Sequence, residues 1–216
     1  MNIELFTNIP YFTEILTISV IAIFMAISPG ADFVMVTRNS IFYNRRAGLY
    51  SALGISAAIW IHVAYSIAGL AVIISNSIVL FSIIKYLGAA YLIYVGWQTF
   101  TSKSMIEIEN CEDKQDLSKS KAFKIGFVTN VLNPKTTIFF LSIFTQLVTL
   151  ETPIWLQLVY GLIISLAHLV WFVVVSYFFT HPVLLEKFKQ SKHIVEKVVG
   201  TVLMGFGLKV AVASNE

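Results

Sequence analysis

Charge is what this sequence has least of. Only 12% of its 216 residues are Asp, Glu, Lys or Arg, against about 25% in a soluble domain of average composition. None of the four occurs in residues 47–84, 86–102 or 152–185, and each of these runs is long enough to cross about 30 Å of hydrocarbon. A water-soluble globular domain is therefore excluded. A mean hydropathy of +0.79, with 57% hydrophobic residues, assigns the chain to a bilayer. Cysteine is almost absent as well. The lone Cys111 rules out an internal disulfide and a cysteine-pair redox carrier. The chain has no His-Glu-x-x-His pattern, phosphate loop or Gly-x-Ser-x-Gly elbow, and too few polar residues converge for catalysis. No metal, no cofactor and no enzymatic activity are expected. Residues 1–14 carry Glu4 and Glu14 but no Lys or Arg, unlike a cleaved signal, so the first apolar run is expected to remain as a span. The net charge of +3 is no argument for a nucleic-acid partner.

The apolar runs predict an all-α integral membrane protein of six spans. The first covers residues 15–43 with an interruption at 28–32, the second 47–74 and the third 78–101. A charged linker is expected at residues 102–123. The pattern then restarts with a broken fourth span reaching residue 150, a fifth at 154–179, a charged connection at 186–197 and a short sixth span at 198–213. Twelve of the fifteen basic residues fall in alternate connections: Arg38, Arg45 and Arg46, then Lys103, Lys114, Lys119, Lys121 and Lys124, then Lys187, Lys189, Lys192 and Lys197. By the positive-inside rule that side is cytoplasmic and both termini face outward.

Two stretches interrupt the apolar pattern in the same way. In Ser28-Pro29-Gly30-Ala31-Asp32, proline removes a backbone donor and glycine adds freedom, so the helix is expected to break, with Ser28 as cap and Pro29 as the first residue of a new half-helix. In Asn130 through Asn133-Pro134-Lys135-Thr136, Asn133 is the expected cap and Pro134 the first turn. Paired breaks at corresponding places in two halves point to a transporter's binding site. Helix starts carry unpaired N–H groups and partial positive charge, suited to a substrate carboxylate. Asp32 then suits an α-ammonium group or a proton, and Lys135 adds attraction for the anion. A charge at bilayer depth normally faces a partner or a pathway. The expected substrate-binding set is Ser28, Gly30, Asp32, Asn130, Asn133 and Lys135, with Asp32 also coupling to protons. The competing reading is a structural Asp32–Lys135 ion pair that locks two broken helices in a non-transporting assembly subunit. Thr136, Thr137 and Gln146 are further hydrogen-bonding candidates. His62 and His168 are expected to bond neighbouring helices more readily than to relay protons, and Lys85 and Arg38 to reach the interfaces.

Three spans per half is an odd number, so a repeat between residues 1–101 and 124–216 must be inverted. Pro29 aligns with Pro134, and Leu92-Ile93-Tyr94-Val95-Gly96 with Leu203-Met204-Gly205-Phe206-Gly207. Small residues in the second and third spans, among them Gly48, Gly54, Gly88 and Gly96, let backbones approach closely. They serve packing within the chain or in a homodimer equally well.

Ser28-Pro29-Gly30-Ala31-Asp32-Phe33, followed by Gly48, Gly54 and His62, resembles the first signature of the LysE/RhtB amino-acid exporter family. Gly88-Ala89-Ala90-Tyr91 through Gly96-Trp97 is similar to its third span, and Asn130 through Asn133-Pro134-Lys135-Thr136 to Phe139-Phe140 to its fourth. Ala31 stands where the commonest form of the first motif has a second proline. The resemblance implies a bacterial inner-membrane exporter that sheds amino acids, driven by proton entry. A basic substrate of the lysine kind would want a second acid, yet Asp32 is the only carboxylate in the spans. A neutral amino acid of the threonine, homoserine or branched-chain kind is therefore favoured over lysine.

Overall fold

The computed structural model describes residues 11–76, 78–101, 117–149 and 151–212, and every regular element among them is a helix. In chain order these are α1 (Phe12–Ile27), α2 (Ala31–Phe42), α3 (Arg45–Asn76), α4 (Ile78–Phe100), α5 (Lys119–Val131), α6 (Pro134–Leu147), α7 (Ile154–Phe178) and α8 (Pro182–Val212). Arg45–Gly69 and Ile154–Phe178 are each long and apolar enough to cross a membrane, and α1 with α2, bent by 54° at their break, make a third candidate if the pair is one span. On α7 the stripe Leu158, Leu162, Leu166 and Val170 is 43–61% exposed. Such a surface suits contact with lipid and would drive aggregation in water.

The two breaks form for different local reasons. At the second, Asn133 accepts from Lys135 N–H at 3.0 Å and Pro134 is the first helical residue, so the proline's missing donor falls where helices have no partner for one. At the first, Ser28 is not the cap. It closes α1, with its N–H on Phe24 carbonyl at 3.0 Å, and α2 begins only at Ala31. The capping position belongs to Gly30, in extended backbone with no side chain to offer.

Two other boundaries differ from the sequence expectation. Ser118 caps α5 by accepting from Lys121 N–H, so the helix starts at Lys119 and takes in residues assigned to the charged linker. Residues 182–212 form one continuous helix in place of a charged connection and a separate short span. Pro182 sits at its start, where proline is tolerated, and no later proline interrupts it. Cys111 and the rest of residues 102–116 lie outside the described residues, as does the side chain of Lys85.

Helix α3 is the hub, packed against α2, α5, α6 and α7, while α4 lies along α8 and α1 along α7. Close approach at these crossings rests on small residues. A Cβ at Gly54 would meet backbone of Phe123 and Phe127, and one at Gly126 would meet backbone of Ser51. Between α4 and α8 the contacts are reciprocal: a Cβ at Gly200 would stand 2.6 Å from Gly96 O, and one at Gly207 2.8 Å from Ala89 O. Between α3 and α7, Ser56 and Ser165 face each other with hydroxyl oxygens 2.7 Å apart, and Ser165 Oγ also donates to Ser56 carbonyl at 2.9 Å.

Glycine substitutions separate close packing from mere composition. Gly200→Ala forces α4 and α8 apart and is expected to cost about 1–3 kcal/mol. Gly205→Ala, on the same helix with nothing within 4 Å of the added carbon, should stay within about 0.5 kcal/mol of the parent. Thermal unfolding in detergent, read by size-exclusion of the surviving fraction, checks both.

Candidate functional site

The sequence-predicted residues meet where the two breaks cross. Asp32, in the first turn of α2, is 7% exposed, and one carboxylate oxygen, Oδ2, accepts from Asn130 Nδ2 and Asn133 Nδ2, each at 2.9 Å. Asn130 stands in the last turn of α5, and Asn133 is the cap of α6. A side chain from the first break is thus held by both sides of the second. Such bonds to an ionised acceptor are worth about 1.5–3 kcal/mol each. The other oxygen, Oδ1, is buried and has no hydrogen-bond partner among the described residues, and neither has Asn130 Oδ1.

Lys135 makes the reciprocal crossing. From the first turn of α6 its ammonium donates to the carbonyls of Ser28 at 2.9 Å and Pro29 at 3.2 Å. Those oxygens follow the end of α1, where carbonyls lack intrahelical donors and partial negative charge collects. The Asp32–Lys135 ion pair offered as the structural reading is replaced by two separate straps. Asp32 takes amides, Lys135 takes carbonyls, and the two charges act on each other only through space.

Ser28, Gly30, Asp32, Asn133, Lys135, Thr136 and His168 line one small cavity together with Met25, Ala26, Phe33 and Phe172. Asn130 lies just behind Asp32. The open space is about 10 Å³, room for roughly one water molecule. A Cβ at Gly30 would stand 3.4 Å from Lys135 Cδ and Nζ, in ordinary van der Waals contact, so the lysine packs directly over the glycine. His168 donates from Nδ1 to Ile164 carbonyl at 2.8 Å, which leaves Nε2 as an acceptor on the side chain that reaches the cavity.

Further bonds surround the cavity, and two candidates lie apart from it. Thr136 Oγ1 accepts from Asn130 Nδ2 at 3.4 Å, and Ser28 Oγ lies 3.5 Å from Thr99 Oγ1. Gln146 is near the far end of α6, its amide buried without a partner, and Arg38 is exposed. His62 donates from Nε2 to Asn130 carbonyl at 3.1 Å. The apolar wall of Met25, Phe33 and Phe172 had no signal in the sequence, because apolar side chains on apolar helices do not announce which face they take.

A family model described as LysE type translocator matches residues 23–214. The chain is 36% identical over 200 residues to an uncharacterized membrane protein, YrhP, of Bacillus subtilis (strain 168), covering 88% of this chain and 94% of that protein. It is 30% identical over 201 residues to the leucine efflux protein of Salmonella typhimurium, covering 88% and 91%. It is 26% identical over 200 residues to the threonine efflux protein of Escherichia coli (strain K12), covering 92% and 97%. No solved structure matches the chain.

Asn133 does two jobs, and substitutions divide them. Asn133→Ala removes the α6 cap and one amide on Asp32, an expected loss of about 2–4 kcal/mol from the two contributions together. Asn133→Ser restores the cap alone and should recover about 1 kcal/mol of that. Thermal unfolding of the purified variants measures the difference.

Proposed function

Because the chain belongs to the LysE type translocator family, we propose that it is a secondary transporter exporting neutral amino acids from the cytoplasm in exchange for protons. The observation that carries this reading is the cavity between the breaks. It combines a buried carboxylate oxygen lacking a donor, an ammonium, and the uncapped start of α2. An amino acid matches that set: its α-ammonium supplies the donor that Asp32 Oδ1 lacks, and its carboxylate suits Lys135 and the free N–H groups of α2. Ser28, Gly30, Asn130 and Asn133 shape and hold this arrangement. A purely structural role accounts for the two straps but not for the carboxylate oxygen left without a partner, which is costly in a buried site.

In this reading the chain has six spans in two inverted halves, the first at residues 1–101 and the second beginning with α5 at Lys119, joined by a charged cytoplasmic linker that ends before that helix. It sits in the bacterial inner membrane with both termini outside. The pairings at two crossings support the repeat. Gly96 meets Gly200 while Ala89 meets Gly207, and exchanging partners at an offset of 111 residues converts one contact into the other. The mutual bonds of Ser56 and Ser165 suit a pseudo-two-fold axis between α3 and α7. With about 10 Å³ of open space, substrate enters only if the halves move apart, as alternating access requires. Asp32 takes the proton when substrate leaves, so that one carboxylate serves the two cargoes in turn. The apolar wall of Met25, Phe33 and Phe172, and the lack of a second acid among the described residues that line the cavity, favour threonine-like or branched-chain substrates over lysine. The names of the leucine and threonine efflux proteins agree with that preference.

Asp32→Asn should insert and fold but lose efflux driven by a proton gradient, by about 10-fold or more, in proteoliposomes. Export that still follows the gradient would remove Asp32 from the coupling. Cells preloaded with mixed dipeptides should release threonine or leucine, and not lysine, when the protein is expressed. Release of lysine alone would reverse the substrate preference.

A further inference from the structure

The reading above gives the proton to Asp32 alone and leaves a second buried titratable side chain unused. His62 on α3 is 1% exposed, stands outside the cavity lining, and reaches Asp32 by way of Asn130. Its Nε2 donates to Asn130 carbonyl at 3.1 Å, while Asn130 Nδ2 donates to Asp32 at 2.9 Å. Its Nδ1 lies 2.7 Å from the Tyr65 hydroxyl. One ring face stacks on Phe140, with centroids 5.3 Å apart and planes at 19°.

The two partners differ in what they can do. A carbonyl only accepts, so Nε2 carries a proton whatever the ring's charge. A phenol both donates and accepts. Against a neutral ring Tyr65 donates to Nδ1. Against a protonated ring Nδ1 donates to the Tyr65 oxygen, which accepts while keeping its own proton. His62 can therefore gain and lose a proton without giving up either bond or moving the ring. His168, bonded to a carbonyl of its own helix, lacks that adaptable partner.

One neighbour attracts a cation. Asn130 lies in the last turn of α5, where carbonyls lack intrahelical donors, and its carbonyl accepts from His62 as well as from the N–H of Asn133. The groups facing His62 are Asp32 from α2 and His168 from α7, with Lys135 of α6 acting on both of those. The lysines of α5, Lys119, Lys121 and Lys124, are at its opposite end, and α4 carries only Lys85, whose side chain is outside the described residues.

We propose that His62 is a second proton-binding group coupled to Asp32 through Asn130, and that the pair sets the protein's response to pH. His62 is a positioning residue. Its charge tightens or relaxes the grip on Asn130 carbonyl, and Asn130 holds the Asp32 carboxylate. No proton passes through the amide; each group exchanges its own and feels the other's charge. The role in transport rests on the exchange reading above, whereas the coupling itself can be tested without transport.

Thermal unfolding of the purified full-length protein is compared across pH for the parent, Asp32→Asn, His62→Gln and the double variant. Gln keeps a donor for Asn130 carbonyl but does not titrate. The single Tm shifts should fail to add, by about 3 °C or more at some pH, and the discrepancy should change with pH. In proteoliposomes His62→Gln should still exchange amino acid, yet its rate should vary by less than about 2-fold across a pH range in which the parent varies about 10-fold. Additive Tm shifts at every pH, or a His62→Gln rate profile superimposing on the parent's, overturns the proposal. If His62→Gln does not fold, Tyr65→Phe, which removes only the adaptable hydroxyl, carries both readouts with the same expected outcomes. Failure of the parent to exchange any amino acid defeats the export reading and leaves the Tm comparison to decide the coupling.

Discussion

A carboxylate inside a membrane protein must be surrounded by donors, since no water is at hand to hydrate it. Asp32 meets that demand at Oδ2 by drawing on Asn130 and Asn133, one residue from each side of the other break, and leaves Oδ1 open. The rest of the site follows. To reach both amides, α2 has to start beside the junction of α5 and α6, and that brings Lys135 within reach of the exposed carbonyls after α1. Two helix interruptions, each unfavourable alone because of its unpaired backbone groups, satisfy one another.

The carbonyls at the ends of the two interrupted helices are treated alike. A lysine from α6 covers the end of α1, and a histidine from α3 covers the end of α5. The bases are different in kind. An ammonium on a flexible stem can follow a moving partner. An imidazole stacked on Phe140 is held in place.

The sequence disclosed the parts of this site that depend on chemistry and concealed those that depend on direction. Proline, asparagine and charge in apolar surroundings are conspicuous, so both breaks, the Asn133 cap and the six converging residues could be named from their order. Ser28 was misassigned because Ser-Pro imitates a cap and first turn, whereas the extended Gly30 delays α2 by two residues. The start of α5 was hidden because Lys119, Lys121 and Lys124 read equally well as a solvated loop or as the polar end of a helix. The partners of Asp32 and Lys135 were also out of reach. Opposite charges at matching positions suggest a pair, and only the crossing of the helices shows that each is held by neutral groups.

The tightness of the cavity has a meaning for the cell's electrical economy. A gap with room for about one water molecule cannot pass a hydrated ion, and its apolar wall of Met25, Phe33 and Phe172 offers nothing in exchange for a lost hydration shell. If this crossing is the proposed export path, it insulates between turnovers, so a cell can carry many copies without short-circuiting its membrane potential.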